Sequence, residues 1–379
     1  MTDRQRIYFR LLVLPFVLAL LMPYLLKDWF FSHHIAFIYY FLVSFLMCFG
    51  LVPLFYKLGI IMNITDVPGG RHHHKEQTPR TGGLAIYITF VSALHIYTNP
   101  PPEFQGLFWA ITIIAGFGIL DDIRGIPASI KLIGQILATI VLIYYGIIIS
   151  FLPDQPFWRV FSIILTFLWV IGITNAINFL DGLDGLASGL AIVISFFYAA
   201  ISWSIGNPFV FIVSLIFMGT VSGFFLYNFR LGKQGLIFLG DTGSTIIGFT
   251  LAALAIYGDW GIHKSVDLAI PVLLLAVPIT DLLLTNIMRI VRKKVHSVRE
   301  LLEFAGNDHL HHRLKAIGLR PKAVVITLCL FTILMGLLSL LLKRGDYSES
   351  FVALGIGIII FSTGVAFLIF MEKRHNEIQ

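Results

Sequence analysis

The segment Asn175-Ala-Ile-Asn178-Phe-Leu-Asp181-Gly-Leu-Asp184-Gly185 places two carboxylates and two amides between the apolar runs 160–173 and 186–200. Acidic groups wedged between apolar runs are costly to place and are a functional hypothesis by default. Other unusual polar residues recur along the chain. They are Asp66, Lys75 and Arg80, the pair Asp121-Asp122 followed by Lys131, Phe238-Leu-Gly240-Asp241-Thr-Gly243-Ser244, and Asp308-His309-Leu-His311-His312-Arg313. Carboxylate and amide oxygens suit Mg²⁺, with Mn²⁺ as a substitute, because these ions take octahedral oxygen ligands and recruit substrate phosphates. Asn178 and Asp241 are the candidate metal ligands. Gly240 lets the backbone approach a ligand, and the N–H groups of a helix opening at Thr242 would favour a phosphate. Phe238 offers a ring face to a base. Lys75, Arg80, Lys131, Arg313 and the histidines can hold a diphosphate through charge-assisted hydrogen bonds. Carboxylates, a divalent ion and several cations around phosphates are the composition of a phosphoryl-transfer site.

Each feature alone also has a plainer reading. Asp121-Asp122 fits a solvated helix end, and Arg71-His-His-His-Lys75 fits a basic loop near anionic lipid. Lys131 fits a snorkelling side chain, and Phe238 an interface anchor. The basic cluster from Arg289 to Lys294 fits topology and lipid contact, with a surface helix through Val291, Val295, Val298 and Leu302. The histidine loop exceeds topological need, but no thiolate accompanies it to argue for zinc.

The elements that must position these residues are membrane helices. The 379 residues are 57% hydrophobic and only 13% charged, where soluble domains carry about 25% charged residues. Apolar runs near 8–26, 36–57, 83–98, 105–120, 130–150, 158–175, 186–204, 208–228, 242–258, 267–288, 322–342 and 350–371 predict an all-α polytopic membrane protein of 11 or 12 spans. The first run, inside an extra N-terminal apolar segment over 1–35, is interrupted by Pro15 and Pro23. Cys48 and Cys329 lie in apolar runs and read as packed, unpaired thiols.

Of 27 Lys+Arg, only Lys27, Arg159, Lys264, Lys343 and Arg344 fall opposite the loop at 58–82. The positive-inside rule therefore makes loops 58–82, 121–129, 176–185, 229–241 and 289–321 cytoplasmic. Five loops share one membrane face of a single domain, and their charges mark topology rather than nucleic-acid binding. A transporter is the alternative from another class, but transporters place ionisable groups near the bilayer midplane, and here they crowd one face.

Four of these motifs, in this order, resemble the polyprenyl-phosphate N-acetylhexosamine-1-phosphate transferases. They are Asp121-Asp122, the 175–186 segment, Phe238-Leu-Gly-Asp241-Thr-Gly-Ser244 and His309-Leu-His311-His312. Asp66-Val-Pro68, Pro79-Arg80-Thr-Gly82-Gly83, Pro278-Ile-Thr-Asp281 and the histidine loop resemble the WecA/TagO-like branch more than MraY. The resemblance implies transfer of a sugar-1-phosphate, GlcNAc-1-phosphate being the common case, from a UDP-N-acetylhexosamine to undecaprenyl phosphate with release of UMP. Such a step opens cell-envelope glycan synthesis (O-antigen, lipopolysaccharide or teichoic acid) at the bacterial plasma membrane, and a homodimer is left open. An MraY-type phospho-N-acetylmuramoyl-pentapeptide transferase is the related alternative.

The resemblance further implies that Asn178 and Asp241 hold Mg²⁺, Asp184 reads uracil, Phe238 stacks on it and Lys131 binds diphosphate. It assigns Asp121 and Asp122 to the lipid-phosphate nucleophile, and His309, His311, His312 and Arg313 to the sugar-phosphate end. Asp66, Lys75, Arg80, Asn175 and Asp181 complete the expected substrate-binding set. Gly125 departs from the acid or amide that many relatives carry there, and the apolar stretch before residue 30 is a second departure.

Overall fold

The computed structural model describes residues 26–66, 77–96, 100–150, 152–153, 155–258, 260, 269–291 and 308–342, with scattered positions between 352 and 366. The run at 8–26, most of 350–371, Lys75 and most of the proposed surface helix after Val291 lie outside the described residues. Helices α1 (Lys27–Ser32) and α2 (Ala36–Ile61) lead to a short antiparallel pair, β1 (Thr65–Asp66) and β2 (Thr78–Pro79). There follow α3 (Gly82–Leu94), α4 (Pro102–Arg124), α5 (Ala128–Tyr144), α6 (Pro156–Leu180), α7 (Leu186–Ile205) and α8 (Pro208–Asn228). The last helices are α9 (Gly240–Tyr257), α10 (Ala269–Leu274), α11 (Ala276–Val291), α12 (Leu310–Ala316) and α13 (Pro321–Leu342).

Among the described residues, six helices (α2, α4, α6, α7, α8 and α13) are long and apolar enough to cross a membrane. Helices α3 and α5 are apolar but shorter. The apolar run at 267–288 is not one rod, because it divides at Leu275 into α10 and α11.

The centre of the bundle is α9, which packs against α3, α4, α6, α7 and α8. Its residues from Thr242 to Ala255 are all buried. Small residues let the neighbours approach, as in membrane helix pairs generally. A Cβ on Gly83 would stand 2.2 Å from the Gly243 nitrogen, and one on Gly118 2.5 Å from the Thr242 Cα. On the same helix, a Cβ on Gly248 would stand 2.7 Å from the Thr174 Cα of α6. These three approaches pin the N-terminal half of α9 against α3, α4 and α6. A second pair of glycines, Gly219 and Gly223 on α8, brings that helix onto the α2 backbone at Phe41 and Phe45. Leu, Ile and Phe side chains on the outer faces stay exposed, as lipid contact requires.

The alternating direction of the helices brings the starts of α3, α5, α7, α9 and α13 to the same end as the finishes of α4, α6, α8 and α11. At the opposite end, Pro101, Ile205, Asn207, Pro208, Phe209 and Tyr257 line an open cavity of about 380 Å³ that touches none of the chemistry-bearing residues. Cys48 and Cys329 are free thiols, in agreement with the sequence.

Candidate active site

The end of the bundle where α9 begins gathers the acids, the amide and a lysine. Gly240 has φ +69°, a left-handed conformation that glycine adopts without strain. A Cβ there would also meet the Arg80 carbonyl at 2.4 Å and the Asp122 carboxylate at 2.6 Å. Asp122, one turn from the end of α4, therefore reaches the start of α9 directly. Its Oδ1 accepts from the Asp241 N–H at 2.8 Å, and its Oδ2 accepts from the Thr242 N–H at 3.1 Å and the Thr242 hydroxyl at 2.6 Å. A side chain from another helix thus performs the capping that normally falls to the residue before a helix.

This corrects one expectation: those N–H groups are satisfied by a protein carboxylate and are not open to a phosphate. It also changes the setting of Asp122, whose two oxygens are engaged in holding Asp241.

Asp241 itself faces the site. Its Oδ1 accepts from Asn178 Nδ2 at 2.8 Å and lies 3.5 Å from Lys131 Nζ. Asn178 also donates to the Ser244 hydroxyl at 2.7 Å. Lys131, on the first turn of α5, pairs with Asp121 Oδ2, while Asp121 Oδ1 accepts the Ile126 N–H at 2.8 Å. The turn through Gly125 (φ +64°) closes the chain so that α4 and α5 present Asp121 and Lys131 to each other. Asp121, Lys131, Asn178 and Asp241 consequently form one continuous polar cluster drawn from four helices.

The 181–185 loop forms the adjoining wall. Asp181 ends α6 and is half-buried. Burial raises its carboxyl well above the usual range, and the nearby charges of Asp241, Asp184 and Asp122 push the same way. Asp184 Oδ2 accepts the Gly235 N–H at 2.7 Å and so ties this loop to the 229–239 segment. Asn228 makes a second tie, accepting from the Gly185 N–H at 2.7 Å and donating to the Ile237 carbonyl at 3.0 Å. Phe238 is half-buried, and its backbone is fixed by Pro79 and Gly82. Asn175 is placed differently from the expected substrate contact: its amide exchanges two 3.1 Å hydrogen bonds with Gln135 and braces α6 against α5. Arg80 and Asp66, both expected on substrate, pair with one another beside the β1–β2 hairpin.

The histidine loop packs against the finish of α6. Asp281 is fully buried on α11. It takes the His309 ring nitrogen at 2.8 Å and the Leu310 N–H. The His309 ring lies 5.1 Å from that of Phe179. His311 is 1% exposed, and a Cβ on Gly182 would fall 2.3 Å from its Nε2. Burial, with His312, His309 and Lys315 behind it, pushes the His311 imidazole down to about 3. Burial thus disfavours the protonated form of His311, and among the described residues neither of its ring nitrogens has a hydrogen-bond partner, while His312, half-buried, is also held below its ordinary value by burial and neighbouring cations.

Arg289 is 2% exposed and grips Asp308 with two hydrogen bonds at 2.9 and 2.7 Å. Burial alone would raise the Asp308 carboxyl, but the Arg289 hydrogen bonds and charge hold it below its ordinary value. Arg313 Nε donates to the Asp308 carbonyl at 2.8 Å. Arg289 therefore does more than mark topology. Asp281, Gln135, Asn228 and Arg289 carry structural roles that sequence reasoning missed. Asp281 had a signal, being an acid inside an apolar run; Gln135 and Asn228 had none.

Among the described residues, no three His, Cys, Asp or Glu side chains gather into a cage for a metal. The donors present are oxygens: Asp241 and Asp121, with the amide of Asn178 beside them. A partial oxygen set of this kind fits Mg²⁺, which keeps several waters and binds through one or two carboxylates plus substrate phosphates.

Comparison with known proteins places the chain in a family. Residues 104–259 match glycosyl transferase family 4. The chain is 34% identical to a probable undecaprenyl-phosphate N-acetylglucosaminyl 1-phosphate transferase of Bacillus subtilis, over 80% of this chain and 84% of the relative. It is 31% identical to a decaprenyl-phosphate N-acetylglucosaminephosphotransferase of Mycobacterium leprae, over 72% of this chain and 76% of the relative. It is also 34% identical to a phospho-N-acetylmuramoyl-pentapeptide-transferase of Clostridium botulinum, but over only 54% of this chain and 67% of the relative. With the acidic cluster assembled at one end of a helical membrane bundle and relatives matched along most of their length, the chain belongs to glycosyl transferase family 4.

Proposed function

We propose that this protein transfers N-acetylglucosamine-1-phosphate from UDP-N-acetylglucosamine to undecaprenyl phosphate and releases UMP, at the cytoplasmic end of the bundle. The observation that carries this reading is the convergence of Asp121, Lys131, Asn178 and Asp241 at the start of α9. The match to the Bacillus subtilis relative over 84% of its length supports the same reaction and acceptor class. The excess of Lys and Arg on that side supports the cytoplasmic placement.

The reaction exchanges one diphosphate for another, so catalysis rests on positioning and charge neutralisation. An oxygen of the acceptor phosphate attacks the phosphorus that carries the sugar. The bridging P–O bond to the uridine-bearing phosphate breaks, and UMP leaves with that oxygen. A phosphate monoester has a second pKa of about 6 and is mostly dianionic at neutral pH, so the acceptor needs little help from a base.

The surroundings of the acidic pair favour direct attack over an aspartyl-phosphate. Asp121 aims one oxygen at Lys131 and the other at the Ile126 N–H, and Asp122 is engaged in the cap. Asp121 thus orients the Lys131 ammonium, which offsets phosphate charge, and Asp122 fixes Asp241. Asp241 and Asn178 would hold Mg²⁺, which would supply charge neutralisation on the diphosphate oxygens.

Purified protein should release UMP from UDP-N-acetylglucosamine only with Mg²⁺ and polyprenyl phosphate together, and Asp241→Asn should slow release by about a hundredfold or more. A panel of UDP-N-acetylhexosamines would identify the sugar. UMP exchange into the donor without lipid, with ping-pong kinetics, would sink direct attack. Absence of UMP release with every donor, alongside solute uptake into vesicles, would favour the transporter.

A further inference from the structure

At the start of α13, Lys322 projects toward the 181–185 loop. Its Nζ is buried and, among the described residues, has no hydrogen-bond partner. It sits 4.5 Å from the centre of the Phe229 ring and 3.8 Å from Asp184 Oδ2, too far for a hydrogen bond. Phe229 is itself fixed, stacked on Phe225 with ring centres 5.0 Å apart and pressed against Gly185, which has φ +86°. A buried ammonium without an acceptor is an unfavourable resting arrangement, because its lost hydration is only partly replaced by the ring and the distant carboxylate. An acceptor supplied by a ligand would relieve it.

The neighbourhood says which acceptor. Asp184 lies beside Lys322, and one of its oxygens already takes the Gly235 N–H. A phosphate placed against Lys322 would meet that carboxylate and be repelled. A neutral carbonyl next to an N–H is complementary to the pair, since the carboxylate accepts where the ammonium donates. The uracil ring carries such an edge, with N3–H between two carbonyls. The side chains of Lys322 and Asp184 keep 24% and 22% of their surface exposed, so the pair borders open space, and the covered ammonium would reach a ligand by rotation of the flexible lysine stem.

We propose that Lys322 is a nucleobase-reading residue, donating to a uracil carbonyl while Asp184 accepts the neighbouring N3–H. The inference rests on the uridine-nucleotide donor proposed above and adds a residue to its recognition. The Lys322–Asp184 pair joins α13 to the α6–α7 loop, so base recognition would also seat α13 against the site.

The test uses the full chain in detergent with UDP, 2-thio-UDP and 4-thio-UDP as competitive inhibitors, because sulfur accepts hydrogen bonds poorly. Lys322→Met should weaken UDP about tenfold, the scale of a lost hydrogen bond to a charged group, and raise KM for the donor with kcat nearly kept. Wild-type protein should bind one of the two thio-analogues more weakly than UDP, and Lys322→Met should erase that difference. Inhibition by pyrophosphate should be unchanged. Lys322→Gln, which retains a donor, should recover part of the affinity, and it serves as the second variant if the methionine form is unstable. Equal weakening of UDP and pyrophosphate, or a thio-penalty that survives the substitution, would overturn the proposal. Failure of the wild type to bind any uridine nucleotide would instead remove the functional reading on which it rests.

Discussion

Two polar regions meet at the same end of this bundle, and they are built on opposite principles. Around the start of α9, polar groups from four helices face one another across an open cluster, with Lys131 set between Asp121 and Asp241. Around α12, the polar groups are closed on themselves: Asp281 with His309, and Arg289 with Asp308. The first arrangement leaves charge available for a ligand. The second satisfies buried charges so that the histidine loop can lie against the finish of α6. The difference separates groups that can act on a phosphate from groups that hold the wall beside them.

Substitutions can break this contrast, beginning with the largest effect. Asp241→Asn should lower kcat by about a hundredfold or more, the scale of a lost electrostatic stabiliser, with little change in melting temperature. A fully active Asp241→Asn protein would place the chemistry elsewhere. Arg289→Met leaves the half-buried Asp308 carboxylate without its partner and should destabilise the fold by about 1.5–3 kcal/mol, the scale of a lost hydrogen bond to a charged group. Thermal unfolding in detergent reads this directly, and an unchanged midpoint would dissolve the closed half of the comparison.

Gly83→Ala should cost roughly 1–3 kcal/mol through overpacking, because its Cβ would fall 2.2 Å from the Gly243 nitrogen. Activity should fall with it as α9 shifts. Asp122→Ala removes an inter-helix cap, with an expected cost of about 1–2 kcal/mol. It should lower kcat more than it alters donor KM, since Asp241 loses its anchor; a purely KM effect would place Asp122 on substrate.

The last effect is read against pH. His311 has a folded-state value pushed from 6.5 down to about 3, so below about pH 6.5 the unfolded chain binds a proton that the folded chain refuses. Stability therefore falls on acidification across that window, at up to about 1.4 kcal/mol per pH unit. His311→Leu should flatten the acid limb of melting temperature against pH, and an identical limb would show that another group dominates.

Legibility from sequence differs between the same two regions. Asp121, Lys131, Asn178 and Asp241 stood out because charge is conspicuous against apolar runs. The apolar runs likewise marked most helices, and the break at Leu275 falls between Pro271 and Pro278, neither of which has an N–H for a continuous helical ladder. The braces were hidden. Gln135 meets Asn175 across 40 residues, and Asn228 meets Gly185 across 43. No local pattern encodes which distant amide a buried amide will find.

The sequence alone therefore determined an all-α membrane protein whose reactive residues share one face, because hydrophobic run length and charge placement act locally. Only the tertiary structure decided that Asp122 caps α9, that His311 is packed against Gly182 and that Arg289 is paired with Asp308. The first two roles depend on close approaches at Gly240 and Gly182 by segments far apart in the chain, and the third on Arg289 meeting Asp308 across 19 residues.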